Sequence, residues 1–364
     1  MTEQTHTAEE GIEGIDGDED SSLGEYPIDT VLIRTETRTV HDVLRRIDSD
    51  QFILNPDFQR DFIWTDAKQS KLIESVLMRI PLPVFYLAEN EEGNMIVVDG
   101  LQRISTFQRY VNNSHPLRLP HQKELNKKKF SQLSPKLQNR IEDCNLILYV
   151  IDAKVPEQAR LDIFERVNSG VPLTRQQMRN SIYMGEATRF LRAESITDIF
   201  TKATGSSLNP RTMRDREFIN RFCSFKLLPI NDYKGDMDDW LATSLETMNK
   251  FSKNELNLLS KKFQLSLKNN FELFKDHAFR KHIPDQTHRS LVNASLWDVM
   301  SVGLSEIPET TIKARKKEIK KMFFSMLEEE DFDRSITYGT NQVKRVKQRF
   351  TRANEMFREV FGDK

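Results

Sequence analysis

Apolar positions recur along this chain with two periods, and where each applies divides the sequence. From Thr39, the residues Val40, Val43, Leu44 and Ile47 fall on one side of a 3.6-residue repeat, predicting a helix capped by Thr39 with Asp42 in its first turn. Leu72, Ile73, Val76, Leu77 and Ile80 form a second stripe, capped by Thr65 or Asp66 and stopped by Pro81 and Pro83. Residues 84–87 and 95–98 are short apolar runs that predict strands, separated by the turn Glu91-Glu92-Gly93-Asn94. After Gly100, Ile104, Phe107 and Val111 fit one side of a further helix. The stretch 113–140 is polar, with consecutive lysines Lys127, Lys128 and Lys129, and reads as a surface segment before a buried strand over 146–151.

Pro156 suits the first turn of another helix, with Ala159, Ile163, Phe164 and Val167 inward and Asn168-Ser169-Gly170 as its stop. Thr174 and Gln177 have capping-box spacing before Met178 and Ile182. Beyond Gly185 the pattern is almost wholly helical, without a strand-like alternation and without an internal repeat. The fold class expected is therefore α+β: an α/β domain over 31–186 and a mainly α-helical region over 187–364.

The chain has 364 residues, enough for two domains and a substantial core. No apolar run reaches the roughly 18 residues of a membrane helix, and the first residues lack a basic then apolar leader, so no membrane partner and a cytoplasmic location are expected. Cys144 and Cys223 make no disulfide framework and read as reduced packing residues.

The net charge of -1 conceals an asymmetry. Glu3, Glu9, Glu10, Glu13, Asp16, Asp18, Glu19, Asp20, Glu25 and Asp29 precede the first basic residue; setting them aside leaves 54 basic side chains against 45 acidic ones. Residues 1–30, poor in large apolar groups, are expected to form a disordered acidic tail. Such a tail is either a solvated extension or a competitor with a polyanion for the basic remainder.

Candidate chemistry concentrates in VVDGLQRISTF, residues 97–107. There an apolar strand ends in Asp99-Gly100 and a helix begins with Gln102-Arg103, so backbone donors, a carboxylate and an arginine fork meet at one corner. Asp99 suits a magnesium ligand or base, Gln102 a water-orienting group, Arg103 a bidentate phosphate partner, and Gly100 a close backbone approach. On spacing alone, Asp99-Gly100 is equally a plain turn and Arg103 an ion-pair residue.

PDFQRDFIW, IESVLMRIPLPVFYL, VVDGLQRISTF and FERVNSGVPLTRQQMRNSIYMGE occur in that order. Together they resemble the N-terminal domain of GmrSD-type restriction endonucleases, within the ParB/sulfiredoxin-like superfamily, from about Thr39 to Glu186. DREFINRF at 215–222 is similar to the helical continuation of that domain. The family motif is Asp-Gly-Gln-Gln-Arg; here Leu101 replaces the first glutamine, while Asp99, Gly100, Gln102 and Arg103 remain.

The resemblance implies a nucleotide-binding corner that hydrolyses NTP or cleaves DNA, in a protein that restricts modified or foreign DNA, with Mg2+ and an NTP as cofactors and DNA as partner. Its alternative is a sensing module that regulates a separate nuclease partner, with self-association open in either case. Gln59, Arg60 and Asn168 join Gly100 as candidate nucleotide or phosphate contacts, although Phe58, Phe62 and Trp64 also suit a core and Asn168 a helix end. Thr174 and Asn180 lie in the same second motif.

No Gly-x-x-x-x-Gly-Lys-Ser/Thr loop exists, so any NTP is not held by a P-loop. His277, His282 and His288 with Asn293 invite comparison with a His-Asn-His nuclease, but their surroundings read as helix and favour structural histidines. Lys344, Arg345, Lys347, Arg349 and Arg352 form a basic helical stretch, either a solvated face or a nucleic-acid contact.

Overall fold

A computed structural model describes residues 12–13, 33–54, 64–90, 92–155, 159–160, 163 and 174–362. The chain forms two compact units, Leu23–Leu173 and Met1–Ser22 with Thr174–Lys364. The described residues begin with a two-residue strand β1 (Ile12–Glu13), which belongs to the second unit.

The first unit is built on a five-stranded mixed sheet. Its strands are β2 (Ile33–Thr39), β3 (Phe52–Ile53), β4 (Phe85–Glu89), β5 (Met95–Asp99) and β6 (Asn145–Ile151), in the order β2-β6-β4-β5-β3. β2 runs antiparallel to β6, and β4 antiparallel to β5, whereas β6–β4 and β5–β3 are parallel. Helices Val40–Asp48, Asp66–Leu77, Leu101–Val111 and Pro135–Glu142 supply further regular structure. The helix expected after Pro156 falls largely outside the described residues.

Thr39 accepts a hydrogen bond from the Asp42 N–H and Thr65 one from the Lys68 N–H, so both expected caps form. Val40, Val43, Leu72, Ile73, Val76, Ile104 and Phe107 join Phe85, Leu87, Val97, Leu146, Leu148 and Val150 in one core. Burying such side chains supplies about 1.5–3 kcal/mol each before chain entropy is charged.

Several sequence expectations are corrected. Ile80, placed on the buried stripe, is 48% exposed, because the helix ends at Leu77 and the chain leaves the core. The strand over 146–151 is not buried throughout: Leu146, Leu148 and Val150 point inward while Ile147 is 44% exposed, the alternation of a strand with one covered face. The polar stretch 113–140 is pinned by Leu117, Leu119, Phe130 and Leu133, all buried, while Lys127, Lys128 and Lys129 are exposed as expected.

The second unit is a helical assembly. Its core centres on Trp297, which is fully buried, donates its indole N–H to the Phe218 carbonyl at 2.7 Å, and meets the Phe279 ring at 4.4 Å. This unit takes up the chain again at Thr174, and helix Arg175–Ile182 lies within it. Strand pairing also occurs where none was expected: β1 pairs in parallel with β7 (Val292–Asn293), and Lys281 meets Glu13 at 3.3 Å. Within the acidic tail, therefore, Ile12 and Glu13 are placed in a strand; its other residues lie outside the described ones.

Candidate functional site

The corner expected from VVDGLQRISTF forms. β5 ends at Asp99, Gly100 turns the chain with φ +100°, and helix Leu101–Val111 starts immediately. Only glycine suits that position for two separate reasons. An L side chain is strained at such a φ, and a Cβ there would lie 2.3 Å from Cδ1 of the fully buried Phe85.

Arg103, one helical turn beyond Asp99, folds back over the corner. Its Nη2 donates to Asp99 Oδ2 at 2.9 Å and to the Val84 carbonyl at 3.0 Å, while Nη1 donates to the Pro83 carbonyl. The guanidinium carbon lies 4.1 Å from the Phe85 ring centroid. Burial pulls the guanidinium pKa below its ordinary value, and the Asp99 charge opposes that shift. The same arginine thus ties strand end, turn and helix together.

Asp99 keeps about a third of its side chain exposed. Its Oδ2 is fixed by Arg103, and among the described residues no hydrogen bond engages the other oxygen. Gln102 follows in the first helical turn, half-buried. The arginine fork expected to pair bidentately with phosphate is thus engaged with protein acceptors, and it holds the half-buried Asp99 carboxylate by one oxygen.

The other candidates separate. Gln59, Arg60 and Asn168 lie outside the described residues, as do Phe58 and Phe62. Thr174 and Gln177 form the predicted capping box, with the Thr174 N–H 2.7 Å from Gln177 Oε1 and the Gln177 N–H 3.2 Å from Thr174 Oγ1. Asn180 is buried, accepts from Gln176 at 2.8 Å, and belongs to the helical unit, not to the unit that carries Asp99.

The basic C-terminal stretch lies on helix Val343–Phe361 and divides by exposure. Lys344 and Lys347 are exposed and Arg345 is half-buried beside Gln348. Arg349 is fully buried: its Nη2 donates to Asp298 at 2.9 Å and its Nη1 to the Thr340 carbonyl, so it is no nucleic-acid contact. Arg352 is taken up by Glu329 at 2.6 and 2.7 Å. His277 and His282 stack at 4.8 Å beside Phe274 and Phe323, and Asn293 caps helix Ala294–Gly303 through the Leu296 N–H. These are structural arrangements. Among the described residues no group of three His, Cys, Asp or Glu is placed to hold a metal.

One feature escaped the sequence. A cleft of about 540 Å³ in the first unit gathers Arg79, just past the end of helix Asp66–Leu77, with Lys136 and Arg140 of helix Pro135–Glu142. No local pattern marks it, since only folding brings Arg79 to Lys136 and Arg140.

Residues 40–184 match the family described as GmrSD restriction endonuclease, N-terminal domain. No curated protein and no solved structure gives a match. No described helix is long and apolar enough to cross a membrane.

Proposed function

Because residues 40–184 belong to the GmrSD restriction endonuclease N-terminal domain family, we propose that this chain acts on DNA in restriction or phage defence, using the Asp99 corner to engage the phosphates of a nucleotide. The observation that carries the reading is the Asp99 carboxylate, about a third exposed, with Oδ2 held by Arg103 at 2.9 Å and no hydrogen bond to the other oxygen among the described residues.

A single exposed carboxylate is no dedicated metal cage, but it fits Mg2+, which is commonly held by one or two carboxylates with substrate phosphates and water completing the shell. Bound there, the ion would neutralise phosphate charge. Asp99 would hold it, and Gly100, lacking a side chain, lets the ligand approach the strand end. Gln102, in the first helical turn, would orient water or a phosphate oxygen in this reading. Arg103 is a positioning residue in this scheme: it fixes the carboxylate and lowers the ordering cost of binding.

Turnover of each NTP, and of plasmid and phage DNA, with magnesium tests the proposal. Asp99→Asn removes the charge while keeping the shape, and a loss of about a hundredfold or more is expected. Equal rates in wild type and Asp99→Asn sink the catalytic role. Nucleotide binding that depends on Asp99 without turnover selects the sensing module, with cutting left to a partner.

A further inference from the structure

We propose that the cleft between the end of helix Asp66–Leu77 and helix Pro135–Glu142 is a second DNA contact, a seat for the phosphodiester backbone distinct from the Asp99 corner. Arg79, Lys136 and Arg140 line it, against the single carboxylate Asp143. Among the described residues none of the three cations pairs with a carboxylate. Like charges brought to one cleft repel, so an anion bound there gains from all three.

Two of these cations occupy places that local physics disfavours. The helix Asp66–Leu77 closes in a Schellman arrangement: the Arg79 N–H bonds to the Val76 carbonyl and the Ile80 N–H to the Ser75 carbonyl, both at 2.9 Å. The left-handed position in that motif favours glycine, yet here it holds Arg79, at φ +60°. Lys136 lies in the first turn of Pro135–Glu142, where the helix dipole repels a cation. Arg140 instead donates to the Leu77 carbonyl at 2.9 Å and so joins the two helices that form the cleft.

The walls indicate which anion. The lining also includes Val76, Ile80, Pro81 and Leu82, with Ile80 48% exposed. A cleft that combines cations with apolar side chains suits a nucleotide unit of a DNA strand, its phosphate on the cations and its sugar against Ile80 and Pro81. This rests on the reading that the chain acts on DNA.

Duplex binding measured by fluorescence anisotropy across a salt series, with the full chain, tests it. Arg79→Gly relieves the left-handed strain, so a raised melting temperature together with weaker binding is expected; a merely structural arginine would not weaken binding. Combined with Lys136→Ala, the slope of log affinity against log salt should fall by about one for each phosphate no longer neutralised. Wild-type binding with affinity and slope untouched in Arg79→Gly/Lys136→Ala overturns the cleft while leaving the Asp99 reading standing. Absence of any wild-type duplex binding at low salt overturns both. Inorganic phosphate stabilising the wild type but not the double variant, without an effect on duplex binding, overturns the assignment to DNA.

Discussion

Gly100 lies so close to Phe85 that a Cβ would sit 2.3 Å from the ring. The turn and the core are therefore one object: the corner that exposes Asp99 is shaped by a side chain from the neighbouring strand. Gly100→Ala combines positive-φ strain with a clash against a buried ring, and a loss of about 2–4 kcal/mol is expected in urea denaturation. Phe85→Leu should recover part of that loss in the double variant, a coupling visible in a double-mutant cycle. Additive losses would mean that the two do not share the strain.

Arg103→Lys keeps a positive charge but cannot reach Asp99 and the carbonyls of Pro83 and Val84 together. A loss of about 1–3 kcal/mol in stability is expected, and nucleotide affinity should weaken although Asp99 is intact. Guanidinium ion should rescue Arg103→Ala in part, as judged by nucleotide binding. Wild-type affinity in Arg103→Lys would remove its positioning role.

In the helical unit, Asp298 is shared by two buried arginines, with Arg221 at 2.6 and 2.8 Å and Arg349 at 2.9 Å. Asp298→Asn leaves two buried guanidinium groups without their counter-charge and should cost about 3–5 kcal/mol, read by circular dichroism during chemical denaturation. Lys344→Ala and Lys347→Ala, on the exposed side of the same C-terminal helix, should change stability by less than about 0.5 kcal/mol.

His282 supplies a pH dependence. Burial lowers its pKa below 6.5, its hydrogen bond with the Arg280 carbonyl opposes this, and His277 and Lys320 reinforce it. The folded state therefore binds this proton less readily than the unfolded chain. Its contribution is fully present above pH 6.5 and is lost as pH falls through the lowered value. His282→Phe should flatten the decline in melting temperature below pH 6.5; an unchanged decline would assign it to other groups.

Much of the local structure could be read from short stretches of sequence. The caps Thr39 and Thr65, the capping box at Thr174, the strand ending at Asp99 and the glycine that follows depend on neighbours within a few residues, and a single sequence displays those. Ile80 and Ile147 misled because hydrophobicity marks what may be buried, not which face the fold covers. Arg349 misled for the converse reason, since it counts as surface charge until a distant Asp298 receives it.

The sequence by itself determined the α+β division, the family of residues 40–184 and the Asp99–Arg103 corner, because each is encoded in contiguous pattern. Tertiary structure decided what those groups do with their charges. It engaged the Arg103 fork with Pro83, Val84 and Asp99, buried Arg349, and brought Arg79 to Lys136 and Arg140. Charge interactions depend on distance and burial, and both are set by packing between segments far apart in the chain.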